Sequence, residues 1–215
     1  MSTVLSNAGT APKRTGRAAK QQAIVAAARK AFLRDGYENT SVDSIAELAG
    51  VSKQTIYNHG SDKDSLFLQV IEEMTGHCAH ESVATINAVP RNSEDIAGEL
   101  LGIAIALNER VLDPESMAFR PLIIAEAHRN PERGRIWATQ NQGPMMEALA
   151  DRLRSLVEDG HLAIEDPLTA ADQFFALTTY QADRMTLNGV SDISIADLEP
   201  GLKSAIAMFM ASYAR

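Results

Sequence analysis

Thr40–Phe67 reads TSVDSIAELAGVSKQTIYNHGSDKDSLF, and the punctuation of this stretch decides the fold. Ser41 stands as an N-cap before an apolar face of Val42, Ile45, Ala46 and Ala49, and Gly50 supplies the left-handed residue that ends such a helix. Ser52 then caps a third segment running through Lys53, Gln54, Thr55, Ile56, Tyr57, Asn58 and His59. Ile56 is its one clear apolar anchor, so the other side chains face outward. Two short helices joined by a glycine-containing turn predict a helix-turn-helix, whose second helix enters the DNA major groove. Outward-facing Lys, Gln, Thr, Asn and His are donors and acceptors long enough to reach phosphates and base edges.

Upstream of this motif, Ile24, Ala28, Ala31 and Phe32 share one helical stripe that stops at Gly36. Residues before it show no apolar periodicity and close on Lys13, Arg14 and Arg17, which predicts a mobile basic arm over 1–17 and a helix-turn-helix domain over 18–62. Charge agrees. The chain of 215 residues carries a net −8, yet residues 1–60 hold eight Lys and Arg against four Asp and Glu, while the remainder holds twelve against twenty-four. A basic head on an acidic body docks a polyanion at one end and repels it elsewhere.

The stretch from Ile24 to Phe67, with Ala31-Phe32, Gly36-Tyr37, Thr40-Ser41-Val42, Ala49-Gly50-Val51-Ser52, Thr55-Ile56-Tyr57, His59, Lys63 and Leu66-Phe67, resembles the N-terminal domain of TetR-family transcriptional regulators. Ile123-Ile124-Ala125-Glu126-Ala127, Asn130-Pro131-Glu132 and Gly143-Pro144 are similar to the ligand-binding region of AefR-like members. The resemblance implies a homodimeric repressor that binds a pseudo-palindromic operator on double-stranded DNA and is released by a small-molecule effector. It also implies that Lys53, Gln54 and Thr55 touch base edges, with Asn58 beside them, while Thr40, Ser41, Tyr57, His59 and Lys63 hold phosphates. One position departs from the family pattern. Gly60 stands where an aromatic or large apolar residue is usual, so either it leaves a void or it takes a positive φ to end the helix. Gly60-Ser61-Asp62 reads as a C-cap followed by a new N-cap.

The rest of the chain, 63–215, is expected to be a helical regulatory and dimerisation domain. Leu66, Phe67, Val70, Ile71 and Met74 continue with helical spacing, and Pro90, Pro114, Pro131, Pro144, Pro167 and Pro200 are read as falling near helix starts. Pro121 breaks that rule, so a kink or a late start is expected there. With no sustained period-two alternation, the fold class is all-α. The last two helices are apolar on more than one face, which predicts dimerisation through them. Met117, Phe119, His128, Trp137, Gln140, Met145, Phe174 and Tyr180 are the candidates for lining an effector cavity.

Other classes find less support. An all-α enzyme would need a nucleophile elbow, a phosphate loop, a zinc helix or a dinucleotide fingerprint, and the sequence has none of them. No cofactor is expected. In the run His77, Cys78, His80, Glu81, His77 shares a helix face with His80 and with Glu81 at spacings of three and four that suit a divalent metal, which keeps a metal-responsive regulator using His77, Cys78 and His80 as an alternative, although two or three ligands do not complete a site. Cys78 is the single cysteine, so no internal disulfide forms. No apolar run is long enough to span a membrane and no signal-like stretch opens the chain, so a cytoplasmic protein is expected.

Overall fold

The computed structural model describes residues 13–92 and 94–215. Over these residues the chain is all-α: α1 (Lys13–Asn39), α2 (Val42–Ala49), α3 (Lys53–Asn58), α4 (Lys63–Ala88), α5 (Ile96–Val111), α6 (Pro114–Arg129), α7 (Pro131–Trp137), a π-helical turn (Ala138–Gln142), α8 (Gly143–Glu158), α9 (Pro167–Leu187) and α10 (Ile195–Tyr213). Two compact units divide at Val70/Ile71, within α4. The first twelve residues of the expected arm lie outside the described residues. Lys13, Arg14 and Arg17 belong to α1.

In the N-terminal unit the helix ends are set by local chemistry. Gly36, at φ 76°, breaks α1 and turns the chain toward α2. The Ser41 hydroxyl accepts from the Ser44 amide at 3.1 Å, and Gly50 closes α2 in the left-handed region at φ 64°. Ile24, Ala28, Ala31, Phe32, Ile45, Ile56, Leu66 and Phe67 form the buried core. Phe32 meets Phe67 edge-on at 5.1 Å between centroids, and Tyr37 caps the pair.

In the C-terminal unit α5, α8, α9 and α10 pack around Leu100, Ile103, Leu107, Leu149, Leu153, Phe174, Leu202, Ile206 and Phe209. An ion pair is buried beside this core. Arg152 Nε of α8 donates to Glu99 Oε1 of α5 at 2.7 Å, the other Glu99 oxygen accepts from the Asn92 amide, and Arg152 Nη2 donates to the Val89 carbonyl. One cluster of charge-assisted hydrogen bonds thus ties α5 and α8 to the loop before α5.

The prolines divide into two groups. Pro114, Pro131, Pro144 and Pro167 open helices as expected. Pro90 instead lies in the loop between α4 and α5, and Pro200 sits inside α10, which starts five residues earlier at Ile195 on a Ser194 capping box. Nor does Pro121 delay α6, because the Asp113 carboxylate caps that helix at its first turn and the helix runs through the exposed proline. Before Pro144 the ladder re-registers. The Gly143 amide reaches back five residues to the Ala138 carbonyl, giving the π-helical turn.

Candidate functional site

Two regions gather the residues that carry chemistry, one in each unit. In the first, α3 exposes Lys53, Gln54, Tyr57 and Asn58 and buries only Ile56. Its start is fixed by the Ser52 hydroxyl, which accepts from the Thr55 amide at 3.1 Å. Its end is fixed by Gly60, whose φ of 73° lies in the left-handed region. Gly60 is exposed, and no atom beyond its chain neighbours lies within 4 Å of where a Cβ would stand, so the glycine ends the helix beside open solvent and not over a buried void. Asp62 and Ser65 then form a reciprocal cap at the start of α4, each side chain accepting from the other residue's amide at 2.8 Å. Those hydrogen bonds hold the Asp62 carboxyl below the usual carboxylate range.

The exposed polar groups of this face are pre-positioned by weak local bonds. Lys53 Nζ donates to Asp43 of α2 at 2.8 Å, and Gln54 donates to Asn58 one turn on at 3.0 Å. Lys63 lies 4.4 Å above the Tyr37 ring and donates to the Glu38 carbonyl. Ser41 presents the N-terminus of α2 to solvent, while Thr55 and His59 are half-buried at the ends of α3. Thr40 is corrected. It is only 2% exposed, and its hydroxyl donates to the carbonyls of Ala31 and Gly36, so it fixes the corner between α1 and α2 instead of facing a phosphate.

The second region is a half-open cavity of about 190 Å³ within the C-terminal unit. Phe119 of α6 and Trp137 of α7 meet edge-on at 5.5 Å and, with Leu107, Val111, Met145 and Phe175, form its apolar wall. Its polar groups come from α4, α5, α6, the π-helical turn and α9. Arg120 donates to Asp183 at 2.5 Å, and burial pushes the Asp183 carboxyl up despite that arginine. Arg110 pairs with Glu81, while its Nε is buried with no hydrogen-bond partner among the described residues. Ser82, Ser116, Gln142 and Cys78 complete the lining.

Of the eight residues expected at such a cavity, Phe119, Trp137 and Met145 line this one. Phe174 does not, because it is buried in the core against Phe209, and its neighbour Phe175, about 100° further round the helix, faces the cavity instead. Gln140 is exposed and Gln142 takes its place, because the π-helical turn adds a residue between Trp137 and the inward face. His128 and Tyr180 are exposed, and Met117, although half-buried, is not part of the lining. Arg110 and Asp183 carried no sequence signal, since an arginine or aspartate on a helix is normally solvated.

The histidine cluster takes another form. His77 pairs with Glu81 at 3.1 Å and Glu81 also binds Arg110, so the acid that a metal would need is already engaged. Among the described residues no three His, Cys, Asp or Glu side chains gather as a metal would require. Burial pushes the Cys78 thiol above its usual range, which disfavours the reactive thiolate. No helix of the described residues is long and apolar enough to cross a membrane.

Both parts of the chain match known families. Residues 24–70 match the family model of bacterial regulatory proteins of the tetR family, and residues 98–215 match the C-terminal domain of the AefR-like transcriptional repressors. The chain is 27% identical over 184 residues to the HTH-type transcriptional repressor AcnR of Corynebacterium efficiens, covering 80% of this chain and 89% of that protein. A solved TetR-family regulator of Mesorhizobium loti superposes with a TM-score of 0.84 at 30% identity, over 93% of this chain and 98% of that one. The flavonoid-responsive regulator FrrA superposes with a TM-score of 0.73 at 25% identity, over 92% and 98%.

Proposed function

The chain belongs to the TetR family of transcriptional regulators, with an AefR-like repressor domain at its C-terminus and no enzymatic role, and from that premise we propose a homodimer that represses by occupying a pseudo-palindromic operator until a small organic effector fills its cavity. The observation that carries this reading is the face of α3, where Ile56 alone is buried and Lys53, Gln54, Tyr57 and Asn58 stand in solvent. Lys53, Gln54 and Thr55 read base edges near the start of the helix, with Asn58 one turn further. Ser41, Tyr57, His59 and Lys63 hold the flanking phosphates. Two such helices, one per subunit, address half-sites on one face of the duplex.

The second subunit docks on α9 and α10. α10 buries Leu202, Ile206 and Phe209 in its own core and turns Ala207, Met208 and Ala211 outward, while α9 exposes Leu177 and Tyr180. Exposed apolar side chains on two helices that pack side by side favour a partner helix pair. The apolar cavity supports effector control, and a similar structure is named flavonoid-responsive. An effector acts only by binding the operator-free form more tightly than the operator-bound one.

Fluorescence anisotropy with the DNA upstream of the chain's own coding sequence tests the reading. Sequence-dependent binding that falls steeply between low and 0.5 M salt is expected. Equal affinity for that fragment and for scrambled DNA would overturn it.

A further inference from the structure

The cavity's size and charge balance narrow what it takes. A cavity of 150 Å³ accommodates benzene, so about 190 Å³ seats one aromatic ring with a few further heavy atoms. Phe119, Trp137 and Phe175 make part of its wall aromatic. Each lining guanidinium already has its counter-charge, Arg120 in Asp183 and Arg110 in Glu81. An anionic ligand would therefore meet carboxylates with no free cation to receive it, and a cationic ligand would meet two arginines. A neutral molecule meets neither cost.

Neutral does not mean apolar. The buried Arg110 Nε lacks an acceptor among the described residues, and an orphaned buried donor is a standing cost that a ligand oxygen removes. Asp183 accepts from Arg120 and Thr179, and a carboxylate has room for a further donor. Resting on the effector reading of this cavity, we propose that it takes a small neutral hydroxyaromatic compound with a second, acceptor oxygen, its hydroxyl donating to Asp183 and its acceptor oxygen receiving Arg110.

Isothermal calorimetry on the full-length dimer tests the class with five probes. These are 4-hydroxyacetophenone, its methyl ether 4-methoxyacetophenone, acetophenone, benzoate, and 4-acetylcyclohexanol, which keeps both oxygens on a saturated ring. 4-Hydroxyacetophenone should bind at least about tenfold more tightly than each of the others, a difference of about 1.4 kcal/mol. In Asp183→Asn the advantage of the free hydroxyl over its methyl ether should fall below about threefold, and benzoate should gain about tenfold, because Arg120 loses its counter-charge. The wild-type series stands alone if that variant fails to fold. Benzoate or the methyl ether binding as tightly as the phenol would overturn the proposal, as would equal binding of the saturated analogue or no heat from any probe. If none of the five binds while another compound releases the upstream DNA, the ligand class falls and the effector reading stands. If the chain does not bind that DNA, the failure belongs to the regulator reading instead.

Discussion

Met208 and Phe209 are neighbours on α10 with opposite surroundings, 58% and 1% exposed, and the proposed dimer predicts opposite fates for a charge at each. In a lone subunit Met208→Asp is a surface change, worth no more than about 0.5 kcal/mol. In an apolar two-fold interface it buries an unpaired carboxylate from each subunit, a cost of several kcal/mol. A net cost of about 3 kcal/mol raises the dimer dissociation constant about 100-fold. Phe209→Asp differs in kind. Phe209 packs edge-on to Phe174 at 5.3 Å, and losing a buried phenylalanine costs about 3–5 kcal/mol before the carboxylate is counted. That is a large part of a typical domain's stability, about 5–15 kcal/mol. Sedimentation velocity at low micromolar concentration, paired with a thermal melt, separates the two. Met208→Asp should give folded monomers with a near wild-type melt of the isolated subunit, and Phe209→Asp should give a chain that is partly unfolded. Dimers that persist in Met208→Asp and in Leu177→Asp would refute the placement of the interface on α9 and α10.

Three further outcomes follow from particular contacts. Gly60→Ala and Gly60→Phe should both destabilise the N-terminal unit, by about 1 kcal/mol or more, because each forces an L side chain into a φ of 73° with no void to fill; a raised melting temperature for the phenylalanine variant would contradict this. Lys63→Ala should flatten the salt slope of DNA binding by about one unit at every sequence, whereas Gln54→Ala should cost about 1–3 kcal/mol and relax preference at one or two base pairs, as anisotropy against a set of single-base variants will read. Arg152→Ala strands the buried Glu99 carboxylate and should cost about 3–5 kcal/mol in urea unfolding, with the loss shrinking when Glu99→Gln is added; an unchanged midpoint would mean that the pair contributes nothing.

The parts of the molecule that were legible in its sequence are those set within one turn of chain. Ser41, Gly50, Ser52 and Gly60 act on amides and carbonyls three to five residues away, so their spacing alone locates α2 and α3 and turns α3 outward around Ile56. Thr40 escaped because its partners, the Ala31 and Gly36 carbonyls, belong to the preceding helix, and a threonine before an N-cap looks solvent-facing until that corner is built. The cavity was legible in part, through Phe119, Trp137 and Met145. Arg110, Arg120 and Asp183 meet there through packing between helices far apart in sequence, and the π-helical turn breaks the 3.6-residue period that selected Gln140. On α9, apolar around much of its circumference, periodicity does not distinguish Phe174 from Phe175. Only the position of Phe209 across the core decides.

The central claim is that two copies of α3, linked through a dimer, read two half-sites on one face of the duplex. Hydroxyl-radical footprinting of the chain's own upstream DNA tests it most directly. The account predicts two protected clusters related by a pseudo-dyad, their centres about one helical turn or a whole number of turns apart, both lost together in Met208→Asp at a protein concentration that saturates the wild type. A single protected cluster, or two that survive in a variant shown to be monomeric, would contradict it.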